Sequence, residues 1–186
     1  VGSATNETGR ISLMQEEKTL KVSVCVVTYN QKKYIRQCLQ SIVDQETDFD
    51  FEVIVGDDCS TDGTRAIVQE FAEQYPGMVK PIFHEKNIGA YKNFPFVHQQ
   101  AIGEYIAHMD GDDYALPGKL QVQTDFLDHH PEFNIVWHAM KVVNETSGRI
   151  RGNYLPRGLH PNGWIDRGDL LAIGSVGTHS SLMYRG

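Results

Sequence analysis

Two acidic clusters and one short polar segment hold the residue types from which a ligand site can be built. Asp57-Asp58 opens the run Asp57-Asp58-Cys59-Ser60-Thr61-Asp62-Gly63-Thr64, and Asp110-Gly111-Asp112-Asp113 follows Tyr105-Ile106-Ala107-His108-Met109. The third segment is Thr28-Tyr29-Asn30. Five carboxylates gathered at one place would repel each other and any phosphate. A divalent cation is the simplest remedy, because it takes oxygen ligands and bridges carboxylate to diphosphate. The Asp-x-Asp pair at 110 and 112 can give one carboxylate directly and the other through water or a ligand hydroxyl. With no thiolate in the cluster, magnesium or manganese outranks zinc.

Each feature also has a plainer explanation. Asp57-Asp58 with Ser60, Asp62 and Gly63 suits a turn and helix cap. Asp110-Gly111-Asp112-Asp113 suits an acidic loop, Tyr29 a surface aromatic, and Lys92 a solvated helix charge. His108, His138 and His179 are scattered and read as structural or surface residues. What sets the two acidic clusters apart is position: both stand where a strand ends and a helix follows.

The elements that must position them alternate. Val22–Val27 is short, β-branched and apolar, as a strand buried on both faces should be. Asn30 is expected to cap a helix bearing Ile35, Leu39, Ile42 and Val43. Phe51–Val55 is a second buried strand, and a helix carrying Ile67, Val68, Phe71 and Tyr75 stops at Pro76-Gly77. Val79–Phe83, a helix over 90–101, the strand Tyr105–Met109 and a helix over 117–130 complete the alternation. That pattern predicts an α/β fold with a mostly parallel sheet covered by helices on both faces. Ligands in such sheets bind beyond the carboxyl ends of the strands. After residue 133 the pattern changes to a small antiparallel hairpin, Ile135–Val143 with Arg149–Leu155 about a turn at Asn144–Gly148. A short helix near 169–173 and a strand Ser180–Tyr184 follow.

Composition sets the outer limits. The chain has 186 residues, a formal charge of −7, 40% apolar and 22% charged residues. Its pI near 5.6 gives no basic face for nucleic acid. No apolar run approaches the roughly 20 residues of a membrane span. Cys25, Cys38 and Cys59 lack metal-site spacing and cannot all pair, which fits a reducing cytoplasm. The acceptor patterns at Asn6 and Asn144 matter only in a secreted protein. The P-loop, GxGxxG and GxSxG patterns are absent, which removes the main support for those chemistries. Residues 1–19 have no periodicity and form either a disordered tail or, up to Met14, an addition before a natural start.

Four ordered motifs carry a resemblance. They are Val22–Asn30, Glu52–Thr64, Asn87-Ile88-Gly89-Ala90-Tyr91-Lys92-Asn93 and Gly103–Asp113, and together they resemble glycosyltransferase family 2. The resemblance implies a GT-A (Rossmann-like) fold, with residues 20–131 as the nucleotide-sugar-binding half and 132–186 as the start of the acceptor-binding part. It also implies a metal-dependent inverting transferase, using a nucleotide diphosphate sugar, most simply a UDP-sugar, and a saccharide or lipid-linked acceptor. Val27, Thr28 and Tyr29 would line the base pocket, and Asp58, with Asp57, would accept from uracil N3–H. Lys92 would approach phosphate or sugar. Asp110 and Gly111 would lie at the ribose and diphosphate, with Asp110 and Asp112 holding Mn2+ or Mg2+. Gly56 stands where the family commonly has an aliphatic residue, and Cys59 where Gly or Asn is common. The family's general base follows the strand matching Ser180–Tyr184, so it is expected beyond Gly186, with Asp113 and His179 the candidates inside the chain. A cytoplasmic site at the inner face of the membrane, reached through that later part, is the matching expectation. The competing classes are a nucleotidyltransferase that makes nucleotide sugars and a catalytically silent nucleotide-binding module. The first usually carries a Gly-rich basic loop after its first strand, which Thr28–Lys32 is not.

Overall fold

In the computed structural model, residues 20–154, 165 and 178–186 are described. The apolar stretch after Leu20 forms strand β1 (Val22–Thr28), followed by helix α1 (Ile35–Val43), β2 (Phe51–Asp57), α2 (Thr64–Gln74) and β3 (Val79–Phe83). Then come α3 (Ala90–His98), β4 (Tyr105–Asp110), α4 (Lys119–His129), β5 (Ile135–Trp137), β6 (Met140–Asn144), β7 (Arg149–Tyr154) and β8 (Leu182–Arg185). The main sheet runs β3-β2-β1-β4-β8-β5, and β6 with β7 makes a separate hairpin. Strands β1 to β4 are parallel, while β8 is antiparallel to both β4 and β5. The expected mostly parallel sheet, helices on both faces and small antiparallel hairpin are all present.

The two faces are covered unequally. Side chains alternate across a strand, so Val24, Val26, Val53, Val55, Tyr105, Ala107 and Met109 join Ile35, Leu39, Phe71, Leu120 and Leu127 in one large core under α1, α2 and α4. Among the described residues, the opposite face carries Cys25, Ile54, Val97 and Ile106 as its buried cluster, under α3.

Several boundaries differ from the sequence pattern. Asn30 does not cap α1: it sits at φ 52, and α1 starts only at Ile35. Its side chain is used elsewhere, with Oδ1 accepting from Thr61 N at 2.8 Å. Helix α3 ends at His98, not Ala101, because Gln100 and Ala101 donate to carbonyls three residues back and tighten the last turn. Helix α4 begins two residues after Pro117, since Gly118 is left-handed at φ 81. The expected strand Ile135–Val143 is two strands in two sheets, broken at His138-Ala139. The last strand starts at Leu182, after a 3-10 turn His179–Ser181. The expected helix near 169–173 and residue Leu155 lie outside the described residues. Cys25, Cys38 and Cys59 are free thiols. No helix among the described residues is long and apolar enough to cross a membrane.

Candidate functional site

Strand register brings the polar segments to one rim. Thr28 pairs with Asp57, and Val27 pairs with both Gly56 and Asp110. The turns beyond are tied to the same row: Asp58 N donates to Thr28 O at 3.0 Å and Gly111 N to Val27 O at 2.9 Å. The two loops after β1 and β2 then brace each other. Asn30 N donates to Ser60 Oγ, Gln31 N to Thr64 Oγ1 and Lys32 N to Asp62 Oδ2, all within 2.9 Å. Orphan backbone donors of both loops are satisfied by the neighbouring loop, which fixes this rim before any ligand arrives.

The sequence-predicted residues occupy distinct niches on that rim. Val27 is half-buried, Thr28 is buried with its hydroxyl on Gln31 Oε1 at 2.8 Å, and Tyr29 stands 49% exposed. Gly111 is tightly confined: a Cβ there would lie 2.5 Å from Gln31 Oε1 and 2.9 Å from Thr28 Cβ. Asp57 is fully buried. Its Oδ1 accepts from Ser60 N at 3.0 Å and Arg65 Nε at 3.2 Å, while Oδ2 is buried without a partner among the described residues. Asp58 is also buried, and its two oxygens accept from Ile88 N at 2.7 Å and Gly89 N at 2.8 Å. The carboxylate therefore fastens the loop that leads into α3. Lys92, in the first turn of α3, is exposed, and its ammonium has no hydrogen bond or ion pair among the described residues.

Around the second acidic cluster the charges are uneven. Asp112 and Asp113 are exposed. Although the residue is exposed, partial desolvation of the Asp112 carboxyl, and then the neighbouring Asp113 and Asp110 carboxylates, raise its pKa above the usual carboxylate value. Burial works on Asp110 in the same direction and is the largest single influence, but the hydrogen bond and charge of His108, with His179 and Ser180, together outweigh it and leave its pKa lowered. Ser180 Oγ accepts from Asp110 N at 2.9 Å, and the buried Lys119 ammonium donates to Ser180 O at 2.6 Å. The end of β4 is thereby bolted to the turn before β8.

His108 and His179, which the sequence pattern gives as structural or surface residues with His179 also a candidate base, gather here with His98, which that pattern misses. His108 Nε2 lies 3.2 Å from Asp110 Oδ1, and His98 Nε2 lies 2.9 Å from His108 Nδ1. Tyr184 Oη lies 2.7 Å from His98 Nδ1. Phe94 stacks on His98 with ring centroids 4.0 Å apart. His179, largely exposed, brings Nδ1 to 4.0 Å from Asp110 Oδ2. Burial holds His98 down to about 4 and lowers His108 too, so both rings are neutral near pH 7. One signal was available: Ile106, His108 and Asp110 alternate on one face of β4. Nothing in the sequence pointed to His98 or to Arg65.

Comparison with known proteins places this arrangement. Residues 23–180 match the model of the family described as "Glycosyl transferase family 2". The Mycobacterium tuberculosis protein Rv1520 is 42% identical over 129 residues, covering 69% of this chain and 37% of that protein. Poly(ribitol-phosphate) beta-N-acetylglucosaminyltransferase TarS of Staphylococcus aureus is 37% identical over 127 residues, covering 67% of this chain and 22% of TarS. The crystal structure of TarS 1–349 in complex with UDP-GlcNAc superposes with a TM-score of 0.68 at 32% identity, covering 89% of this chain and 45% of that one. The mannosyltransferase PcManGT of Pyrobaculum calidifontis, in complex with GDP-Man and Mn2+, gives 0.58 at 27% identity over 67% of this chain and 36% of its own. The fold is accordingly of the GT-A type. This chain spans 37% of Rv1520 and 45% of the TarS structure, less than half of either.

Proposed function

This chain belongs to glycosyltransferase family 2, and from that membership we propose that it binds a nucleoside-diphosphate sugar, UDP-linked, as the donor-binding part of a metal-dependent inverting transferase. The observation that carries this reading is the single rim formed by the ends of β1, β2 and β4, where Thr28–Asp57 and Val27–Asp110 are paired residues. The similarity to TarS, solved with UDP-GlcNAc, supports the choice of uridine and of a glycan or lipid-linked acceptor.

On this reading Tyr29 packs on the base, with main-chain groups of Val27 and Thr28 bonding it. A carboxylate offers about four lone-pair sites, so Asp58 can hold Ile88 and Gly89 and still accept from the base. Asp57 keeps the turn closed, its charge balanced by Arg65. Lys92 reaches toward the diphosphate from α3. Asp110 and Asp112 hold a divalent cation, which would offset both the desolvation and the carboxylate repulsion that raise Asp112. A cation there supplies charge neutralisation of the diphosphate as it leaves. The base that deprotonates the acceptor is assigned to none of these residues.

Calorimetry tests the reading. UDP is expected to bind much more tightly with manganese than with a chelator, and Asp112→Asn is expected to remove most of that difference. Equal UDP affinity with and without metal ends the metal assignment, and no UDP binding at all ends the nucleotide assignment.

A further inference from the structure

The groups around Asp110 are not an oxygen-only set. One ring nitrogen each from His108 and His179 and one carboxylate oxygen of Asp110 lie within 4.8 Å of one another. Ligand atoms about 2.0–2.2 Å from a common tetrahedral ion stand roughly 3.3–3.5 Å apart. His108 Nε2 lies 3.2 Å from Asp110 Oδ1 and His179 Nδ1 lies 4.0 Å from Asp110 Oδ2, so the two rings flank one carboxylate, each within about half an ångström of that spacing from its own oxygen. Two of the three donors come from one strand face, at positions 108 and 110, and the third from the turn that Lys119 and Ser180 fasten to it. We propose that His108, Asp110 and His179 form a site for a borderline transition-metal ion, so that the cation held at Asp110 and Asp112 takes imidazole ligands as well and prefers cobalt or zinc to magnesium. This rests on the reading above only in taking Asp110 and Asp112 as metal carboxylates; the site needs no nucleotide.

A second observation, behind the ligands, supports the site. Metal-ligating histidines almost always engage their outer nitrogen with a hydrogen-bond partner, which fixes the ring and its tautomer. His108 Nδ1 has such a partner in His98 Nε2, and His98 Nδ1 has one in Tyr184 Oη. Without an ion, the carboxylate of Asp110 can only accept, and that fixes every proton in the chain. His108 Nε2–H donates to Asp110, His98 Nε2–H donates to His108, and Tyr184 O–H donates to His98. With an ion on His108 Nε2, the chain runs the other way: His108 Nδ1–H donates to His98 Nε2, and His98 Nδ1–H donates to Tyr184. Each imidazole keeps one proton in both states, so no proton is released by these rings. The Phe94 ring, 4.0 Å from His98 and 4.6 Å from His108 by centroid, holds both planes in place. His98 is thus a positioning residue for a ligand it touches from behind.

The test uses the whole chain without nucleotide, titrated with Co2+ while visible absorption is followed, and with Mg2+, Mn2+ and Zn2+ by calorimetry. Imidazole ligation predicts that affinity rises in the order Mg2+, Mn2+, Co2+, Zn2+. His179→Ala, at a mostly exposed position, is expected to weaken Co2+ roughly tenfold or more and to erase its advantage over Mg2+. His129→Ala, an exposed histidine on α4, should leave Co2+ binding unchanged. His98→Phe is expected to weaken Co2+ by roughly 10–100-fold while thermal unfolding confirms the fold. Magnesium binding as tightly as cobalt, or a cobalt preference unchanged in His179→Ala, overturns the site. UDP failing to bind the cobalt-loaded protein would instead remove the nucleotide reading and leave this site standing.

Discussion

The two faces of the main sheet are built on different terms. Under α1, α2 and α4 the strands present Val24, Val26, Val53, Val55 and Met109 to a continuous apolar core. Under α3 the same strands present Cys25, His108 and Asp110, and among the described residues the buried apolar cluster shrinks to four. Burial of apolar area contributes roughly 25 cal/mol per Å2, so the first face carries most of the stability. The second face spends its positions on hydrogen-bonded imidazoles and a carboxylate. Such groups contribute little net stability and are costly when left half-satisfied. Separation of this kind lets the site hold strained charges without unfolding the sheet that aims them.

The largest expected effect lies on the apolar face. Phe71 is 1% exposed in α2, and Phe71→Ala is expected to destabilise by about 3–5 kcal/mol through lost burial and a residual cavity. Thermal or denaturant unfolding reads it. Metal affinity measured below the new melting temperature should be unchanged. A loss of metal binding that parallels the loss of stability would show that the two faces are not separate.

Next comes Lys119, where the faces meet. Burial pulls its ammonium down to about 8 from 10.5, although the Cys38 thiol and the Asp113 carboxylate pull upward. Below pH 8 both folded and unfolded chains keep the proton. Between 8 and 10.5 the unfolded chain still holds it while the folded chain has released it, so stability rises with pH through that window by at most about 3 kcal/mol. Cys25, which burial pushes up to about 12, acts oppositely above pH 9, since its unfolded thiol ionises first. The difference between wild type and Lys119→Met reports the lysine together with its coupling to the buried Cys38 thiol. A flat difference across pH 8–10.5 would mean that Lys119 is hydrated and the junction loose.

Much of this was legible in the sequence because local pattern and long-range position agreed. Val22–Val27 and Phe51–Val55 are apolar on both sides, and a strand with two covered faces has to be. Both acidic clusters follow such strands, which is enough to place them on one rim. The failures share a cause. Asn30 reads as a cap, yet its amide is taken by Thr61, a partner 31 residues away. Ile135–Val143 reads as one strand, but its first residues pair with β8, which is remote in sequence. The histidine chain joins α3, β4 and β8, and no local spacing encodes a contact between positions 98, 108 and 184.

Of intermediate size is the prediction for Asp58. Losing a hydrogen bond to a charged acceptor costs about 1.5–3 kcal/mol. If its carboxylate accepts from uracil N3–H as well as from Ile88 and Gly89, Asp58→Ala should weaken UDP more than CDP, since cytosine lacks that donor. Competition calorimetry with the two nucleotides measures the gap. Equal losses would leave Asp58 with the loop before α3 alone, and base selection would pass to the main chain around Thr28.

The smallest expected effect is the most informative about why the second face is thin. Gly56 pairs with Val27 on the α3 side of β2, and a Cβ there would lie 2.2 Å from Val97 Cγ2 and 2.7 Å from Asn93 Oδ1. The bare backbone lets α3 approach closely enough for Asn93 Nδ2 to donate to Gly56 O at 2.9 Å, while His84 Nε2–H donates to Asn93 Oδ1. Where β2 faces the other helices it carries Val53 and Val55 and keeps them at side-chain distance. Gly56→Ala is therefore expected to cost about 1 kcal/mol, at the low end for overpacking, because the methyl is small and α3, carrying Val97 and Asn93, can shift outward as a unit. Its effect on the site should be larger than that figure suggests. Pushing α3 outward moves Phe94 and His98 away from His108, so cobalt affinity should fall while Phe71 and its neighbours stay packed. The same Ala substitution at Val55, on the apolar side of the strand, should cost more stability and leave cobalt alone. Should Gly56→Ala lower stability without touching metal affinity, α3 would be a cover for the sheet, and the support for His108 would have to come from β8 alone.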